Sequence, residues 1–170
     1  MGREEILEGL PARKSVMGAP VDPWDMAQTV EATERLIEAG AFAHLMGVNA
    51  DKLLQMKDDP WMDACVRSCE IVNADGASMV MAAERLGSPL PCRVAGVDLM
   101  RELCALAERR GYSAYLLGAK PEVVAKTAEV LRGKFPKMRV AGARDGYFDD
   151  AEWDEVAEEI RISEAAITFV

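Results

Sequence analysis

The sequence predicts an α/β fold of the Rossmann-like kind, in which a mostly parallel sheet carries helices on both faces. Two observations lead to this prediction. Short apolar segments alternate with longer amphipathic segments along the whole chain, and the final segment EAAITFV is the near-continuous apolar run typical of a buried parallel strand. The 170 residues, half of them hydrophobic, suffice for a core. Because no repeat or linker interrupts the pattern, we expect a single domain over residues 1–170.

The individual elements follow from the same pattern. Apolar segments predict six strands, near Ser15–Gly18, Ala43–Gly47, Glu70–Asn73, Ser113–Leu117, Arg139–Ala143 and Ala166–Val170. Helices are expected between most of them. Two are well defined by apolar residues at steps of three and four, at about Val97 to Arg110 and at about Pro121 to Lys134, the second opening with proline.

Composition excludes several classes of function. The formal net charge of −9 opposes broad binding to nucleic acid, which requires a basic surface. The first residues lack the apolar core of a signal peptide, and no run of about 18 apolar residues is present to span a bilayer. We therefore expect a cytoplasmic protein that does not bind nucleic acid.

The cysteines and the single histidine do not form a ligand set for a metal. Only Cys65 and Cys69 are close in sequence, and His44 is far from every other candidate ligand. We expect buried structural thiols and a packing or surface histidine.

Asp75 lies at the junction between an apolar strand and the helix-forming segment ASMVMAAERL. Asp-Gly is a hairpin signal, but the residues that follow show no strand alternation, so a strand-to-helix junction is the better interpretation. At such a junction an aspartate either caps the helix or serves chemistry. The residues alone favour the cap.

Further polar residues follow other predicted strands. Asn49 comes after the strand near Ala43–Gly47, and parallel strands would bring it to the same sheet edge as Asp75. Arg93 and Asp98 flank Gly96 ahead of a helix, and Arg93 is either a surface charge or a phosphate ligand. The turn from Gly118 to Lys120 joins a strand to a helix amino end, a weak phosphate-binding signal.

Taken together, these segments resemble the WecG/TagA/CpsF family of bacterial glycosyltransferases. The matching segments, in chain order, are GAPVD (Gly18–Asp22), VNADKL (Val48–Leu53), NADGASMV (Asn73–Val80), RVAGVDLM (Arg93–Met100), YLLGAKPEVV (Tyr115–Val124) and GYF (Gly146–Phe148). They span nearly the whole chain.

The resemblance implies an inverting transferase that moves N-acetylmannosamine or a related sugar from a UDP-sugar to an N-acetylglucosamine on an undecaprenyl-diphosphate carrier. It implies Asp75 as the general base, Asn49, Gly76 and Asp98 as substrate-binding residues, and Arg93 as the cation that neutralises the leaving diphosphate. The polymers made by such enzymes are teichoic acids or exopolysaccharides.

Nucleotide contact is expected at two strand ends, from position rather than from motif identity, at Gly118, Ala119, Lys120, Asp145, Gly146 and Tyr147. The resemblance implies no cofactor and no metal. It also implies a peripheral protein that acts at the inner face of the plasma membrane. The oligomeric state is left open, with a homo-oligomer as one alternative.

Two departures from the family pattern matter. Many relatives carry threonine where this chain has Gly47, which removes a hydroxyl from the expected pocket. Relatives also continue past the segment resembling AAITFV into a further element and a membrane-contacting appendage, so we expect a C-terminally incomplete enzyme. These departures leave open a non-catalytic UDP-sugar-binding or assembly module. A dinucleotide oxidoreductase is set aside because no Gly-x-Gly-x-x-Gly follows a strand.

Overall fold

A computed structural model describes residues 2–170 of the chain. The chain divides into two units, of which the first ends at Leu99 and the second is Met100–Val170. Whether residues 1–170 act as one domain stays a prediction.

The first unit contains a hairpin, a parallel strand pair and several helices. Its elements in order are α1 Arg3–Ile6, β1 Lys14–Val16, β2 Ala19–Val21, α2 Met26–Glu38, β3 Leu45–Val48, α3 Ala50–Asp58, α4 Pro60–Ser68, β4 Ile71–Ala74, α5 Ala77–Arg85 and the first residues of α6 Gly96–Arg110.

The hairpin corrects one sequence-based prediction. A single strand was expected over Ser15–Gly18, but β1 ends at Val16 and the chain turns through Met17 and Gly18 into an antiparallel β2. Both turn residues have positive φ, 53° and 92°. Two-residue hairpin turns need such angles, and methionine gives no signal for them in the sequence.

Strands β3 and β4 pair in parallel, with Gly47 opposite Asn73 and Val48 opposite Ala74. Helices cover both sides of this pair. Ile71 packs in a cluster with Ala32 and Leu36 of α2. The adjacent β4 residues, Val72 and Ala74, pack instead in a cluster with residues of α3, α4 and α5, namely Leu53, Met56, Val66, Met79 and Ala83.

The second unit contains a three-stranded parallel sheet in the order β6-β5-β7. Its elements are the remainder of α6, β5 Ser113–Leu117, α7 Pro121–Lys134, β6 Arg139–Arg144, a short 3₁₀ helix Asp150–Glu152, α8 Trp153–Ser163 and β7 Ile167–Phe169. The bounds of β5 and α7 are those that the sequence predicts.

The central strand β5 packs against helices on both faces. Leu116 clusters with Val124 and Ala128 of α7, whereas Tyr115 and Leu117 cluster with Val156 of α8. This alternation is the period of two that strand geometry imposes. The predicted α/β fold class, with parallel strands and helices on both faces, is therefore confirmed. Within residues 2–170, none of the helices combines the length and the apolar character needed to cross a bilayer.

Candidate functional site

Asp75 follows the last residue of β4, at the carboxyl end of the strand. Its N–H donates to the carbonyl of Val48 at 2.9 Å, so the parallel pairing continues one residue past the strand. The N-cap of α5 is Gly76, not Asp75. The structure therefore does not give the Asp75 carboxylate the capping role that residue type alone favoured, and the side chain is half-buried.

Two glycines line the Asp75 side chain. A Cβ built on Gly47 would lie 2.8 Å from the Asp75 Cβ and 3.1 Å from Oδ2. A Cβ built on Gly96 would lie 3.9 Å from the same Oδ2. The room that the absent Gly47 side chain leaves is thus occupied by Asp75 rather than by an empty part of a pocket.

Asn49 lies close to the residue that follows Asp75. A Cβ built on Gly76 would be 3.6 Å from the Asn49 Cβ, so the two strand ends meet as the sequence predicts. Asn49 is itself the N-cap of α3, and its Oδ1 accepts a hydrogen bond from the N–H of Lys52 at 2.9 Å. Its amide NH₂ is the group through which it can donate to a ligand.

The segment that carries Arg93 runs beside the end of β4, because the N–H of Val94 donates to the carbonyl of Ala74 at 2.9 Å. The Arg93 guanidinium lies 3.8 Å from the Asp98 carboxylate, and about half of each side chain is exposed. An ion pair this long and this exposed contributes little stability. A diphosphate can therefore compete with Asp98 for Arg93.

The six residues expected to contact nucleotide lie in the second unit, on two neighbouring turns. Gly118–Lys120 follows β5, and Asp145–Tyr147 follows β6. The N–H of Gly146 donates to the carbonyl of Ala119 at 3.0 Å, and the N–H of Gly118 donates to the carbonyl of Arg144 at 2.9 Å. The two turns therefore lie side by side, joined by backbone hydrogen bonds.

These turns have a constrained backbone. Ala119 has a φ of 60°, a left-handed conformation that costs an alanine energy, and Gly118 before it has a φ of 129°. Lys120 is the N-cap of α7 but makes no side-chain capping bond. Asp145 Oδ1 accepts a hydrogen bond from the N–H of Tyr147 at 3.0 Å, and the Tyr147 side chain is exposed.

The cysteines match the prediction of buried thiols in part. Cys69 and Cys104 are buried, and burial raises the pKa of each thiol to about 11. Cys65 and Cys92 are only half-buried. His44 is exposed, as expected for a surface residue. In the described part of the chain, no group of three or more His, Cys, Asp or Glu is placed to hold a metal ion.

The sequence did not identify the two glycines as neighbours of Asp75. Gly47 drew attention only as a departure from a family pattern, and Gly96 only as a residue ahead of a helix. The signal that would have found Gly47 is the parallel register, which sets Gly47 opposite Asn73, two residues before Asp75.

In two of the segments that match the family, a polar side chain binds other parts of the protein and is buried; these residues are Asn73 and Asp22. Asn73 is buried and its Nδ2 donates to Thr29 Oγ1 at 3.0 Å, which joins β4 to α2. Asp22 is buried and forms ion pairs with Arg3 and Arg13.

The sequence profile of the glycosyl transferase WecG/TagA/CpsF family matches residues 14–170, which is nearly the whole chain. The match includes the Asp75 region of the first unit and both turns of the second. The protein therefore belongs to the WecG/TagA/CpsF family of glycosyltransferases.

Proposed function

We propose that this glycosyltransferase inverts the anomeric centre as it moves N-acetylmannosamine or a related sugar from a UDP-sugar to an acceptor. The proposed acceptor is N-acetylglucosamine on an undecaprenyl-diphosphate carrier, and the product serves teichoic acid or exopolysaccharide synthesis. The observation that carries the proposal is the half-buried Asp75 carboxylate at a strand end, where Gly76 rather than Asp75 caps the next helix.

Asp75 is the proposed general base. The acceptor hydroxyl oxygen bonds to the anomeric carbon while its proton passes to the Asp75 carboxylate. On the opposite side of that carbon, the bond to the UDP oxygen breaks. A carboxylate within hydrogen-bond reach lowers the barrier because the alcohol becomes a strong nucleophile only as its proton leaves.

Arg93 is proposed to neutralise the charge that gathers on the departing diphosphate. Its exposed and long ion pair with Asp98 supports this role, since little free energy is lost when the guanidinium changes partner. Asn49, Gly76 and Asp98 are proposed to bind substrate.

In the second unit, the turns Gly118–Lys120 and Asp145–Tyr147 are proposed to contact the nucleotide. Their support is the mutual hydrogen bonding of the two turns and the amino end of α7, where backbone N–H groups favour phosphate. The protein is proposed to need no metal and to act as a peripheral protein at the inner face of the plasma membrane.

The test is transfer from UDP-N-acetylmannosamine to a short-chain analogue of the acceptor. The release of UDP measures the rate of transfer. Asp75→Asn should lower kcat by a factor of about 100 to 10,000, the range expected for loss of a general base. The fold should be retained, because the amide has nearly the same shape. Asp58→Asn, at an exposed position at the end of α3, is the matched control and should transfer normally.

Two results would contradict the proposal. Unchanged turnover in Asp75→Asn would remove Asp75 from the chemistry. Tight binding of UDP-sugar with no Asp75-dependent turnover would indicate a non-catalytic binding module instead.

A further inference from the structure

We propose that Asn73 is a positioning residue, which fixes the carboxyl end of β4, and Asp75 with it, through a buried hydrogen bond to Thr29 of α2. This role rests on the proposed function, since Asn73 acts on transfer only if Asp75 is the base. Its structural part, the attachment of β4 to α2, stands on the hydrogen bond alone.

The side chains of β4 alternate between two sides of the strand. Ile71 packs in the cluster that includes residues of α2, and Asn73 is bonded to Thr29 of the same helix. The residues next to Asn73 on either side pack in the other cluster. Asp75 is two residues beyond Asn73, so its side chain emerges on the side that α2 covers. The position of the carboxylate therefore depends on how β4 lies against α2.

Asn73 is the polar residue of an otherwise apolar strand, and it is only 2% exposed. Its Nδ2 donates to Thr29 Oγ1 at 3.0 Å, and that hydroxyl, which is fully buried, donates to the carbonyl of Asp25 at 2.8 Å. Asp25 is the N-cap of α2, and it forms a capping box with Gln28. Asn73 is thus joined through two hydrogen bonds to a helix end that is itself held by its cap.

This hydrogen bond restricts the strand in a way that apolar packing does not. Apolar contact is non-directional, whereas a hydrogen bond between buried groups is satisfied only over a narrow range of distance and angle. At the strand end, the backbone bonds from Asp75 to Val48 and from Val94 to Ala74 join β4 to its lateral neighbours. The bond of Asn73 acts toward α2 instead. A base displaced by about 1 Å can lose a factor of about 100 in rate, so this restraint bears on catalysis.

The double variant Thr29→Val with Asn73→Leu separates positioning from stability. Both partners are replaced by apolar groups of similar shape, and the Asp25 carbonyl keeps the N–H of Thr29 as a donor, so the Tm should stay close to the natural value. The kcat should nevertheless fall by a factor of about 10 to 100, with the KM for UDP-sugar nearly unchanged. Natural kcat in the folded double variant would overturn the proposal.

Two single variants at Thr29 make the opposite comparison. Thr29→Ser keeps the hydroxyl and removes a buried methyl group, so it should lower the Tm and leave kcat near the natural value. Thr29→Val leaves the buried Asn73 amide without its partner, so it should lower both the Tm and kcat. These two variants also provide the test if the double variant does not fold. Equal kcat in the two, per folded protein, would overturn the proposal.

Thr127→Val is the matched control for the change at Thr29. Thr127 also lies in a helix, and its Oγ1 donates to the carbonyl four residues earlier, that of Val123, at 2.9 Å. This bond is exposed and lies in the second unit. Thr127→Val should leave kcat unchanged, and an equal loss of kcat there would contradict a specific role for the bond between Asn73 and Thr29.

The NMR signal of the Asp75 carboxyl carbon and the exchange of the Asp75 amide hydrogen report on position without any measurement of transfer. In the double variant the signal should shift and the exchange should accelerate, whereas both should stay unchanged in Thr127→Val. An unshifted signal with natural exchange in the double variant would overturn the attachment itself.

The failure of this role differs from the failure of the proposed function. If Asp75→Asn transfers sugar normally while the double variant still shifts the Asp75 signal, Asp75 is not the base, and the positioning role is overturned with it. If Asp75→Asn is inactive and the double variant keeps natural kcat, the base stands and only the role of Asn73 is overturned.

Discussion

At the scale of single residues, Asp22 shows what a fully buried carboxylate requires. Its side chain has no exposed surface and forms ion pairs of 2.8 Å with both Arg3 and Arg13. It also accepts a hydrogen bond from the N–H of Val72 at 2.8 Å. Arg13 donates further to the carbonyls of Cys69 and Glu70. Asp22 therefore joins the segment before α2 to the start of β4.

Replacement of Asp22 should destabilise the protein strongly. Asp22→Asn removes the buried charge but leaves both guanidinium groups in place, and loss of one partner of a buried ion pair costs about 3 to 5 kcal/mol. Urea denaturation measures this loss. Asp63→Asn is the control, because the Asp63–Arg67 pair is largely exposed and should cost less than about 1 kcal/mol. Similar losses in both variants would contradict the buried role.

For Asp75, the sequence predicted the position of the residue in the fold but not its role at the helix that follows. Its place at the end of a strand followed from the apolar segment before it, and Asn49 followed by the same logic. The residue types did not predict which of the two caps a helix, because aspartate and asparagine are both good caps. The structure gives the cap to Asn49 and not to Asp75. That difference depends on backbone angles near Gly76 that no pattern of residue types records.

At the scale of elements, the contact between β5 and β6 depends on another glycine. A Cβ on Gly142 would lie 2.4 Å from the Tyr115 ring, which is buried against it. The Tyr115 hydroxyl donates to Glu159 Oε1 at 2.5 Å, and Arg144 donates to the other oxygen of the same carboxylate at 2.9 Å. Burial and the bond to Glu159 raise the pKa of Tyr115 to about 12.

Gly142→Ala should therefore displace the Tyr115 ring and weaken the contact of β5, β6 and α8. Overpacking of this kind costs about 1 to 3 kcal/mol, which urea denaturation measures. The ring loses burial and its bond to Glu159, so the pKa of Tyr115 should fall from about 12, and ultraviolet titration should show it. The paired variant with Tyr115→Leu should recover stability, and no recovery would contradict the steric explanation.

The elements that the sequence predicted well are those with a strong local signal. Helix α7 has apolar residues at helical spacing and a proline at its first position, and its observed bounds match the prediction. The β1–β2 hairpin has no such signal, because its turn uses Met17 in a left-handed conformation. Glycine or asparagine there would have indicated the turn, whereas methionine indicates nothing.

At the scale of the whole molecule, the alternation of strands and helices was sufficient to predict the fold class. It did not predict which strands pair. The order β6-β5-β7 brings the last strand of the chain beside β5, and this pairing depends on contacts between distant residues. Local periodicity carries no information about such contacts. The division at Leu99 falls inside α6, where no change of composition marks it.

Because a ligand that binds the folded protein opposes unfolding, the Tm of the whole molecule tests which nucleotide it binds. A ligand that binds only the folded protein stabilises it by about 2.7 kcal/mol at one hundred times its Kd. UDP should therefore raise the Tm, whereas adenine dinucleotides should not, and hydrogen exchange should slow at Gly118–Lys120 and Asp145–Tyr147.

Lys120→Ala should weaken the increase in Tm that UDP causes. Lys126→Ala, whose lysine is paired with Glu129 on α7, should leave it unchanged. A Tm raised by adenine dinucleotides and not by UDP would contradict the proposed donor, and slowed exchange elsewhere would contradict these two turns.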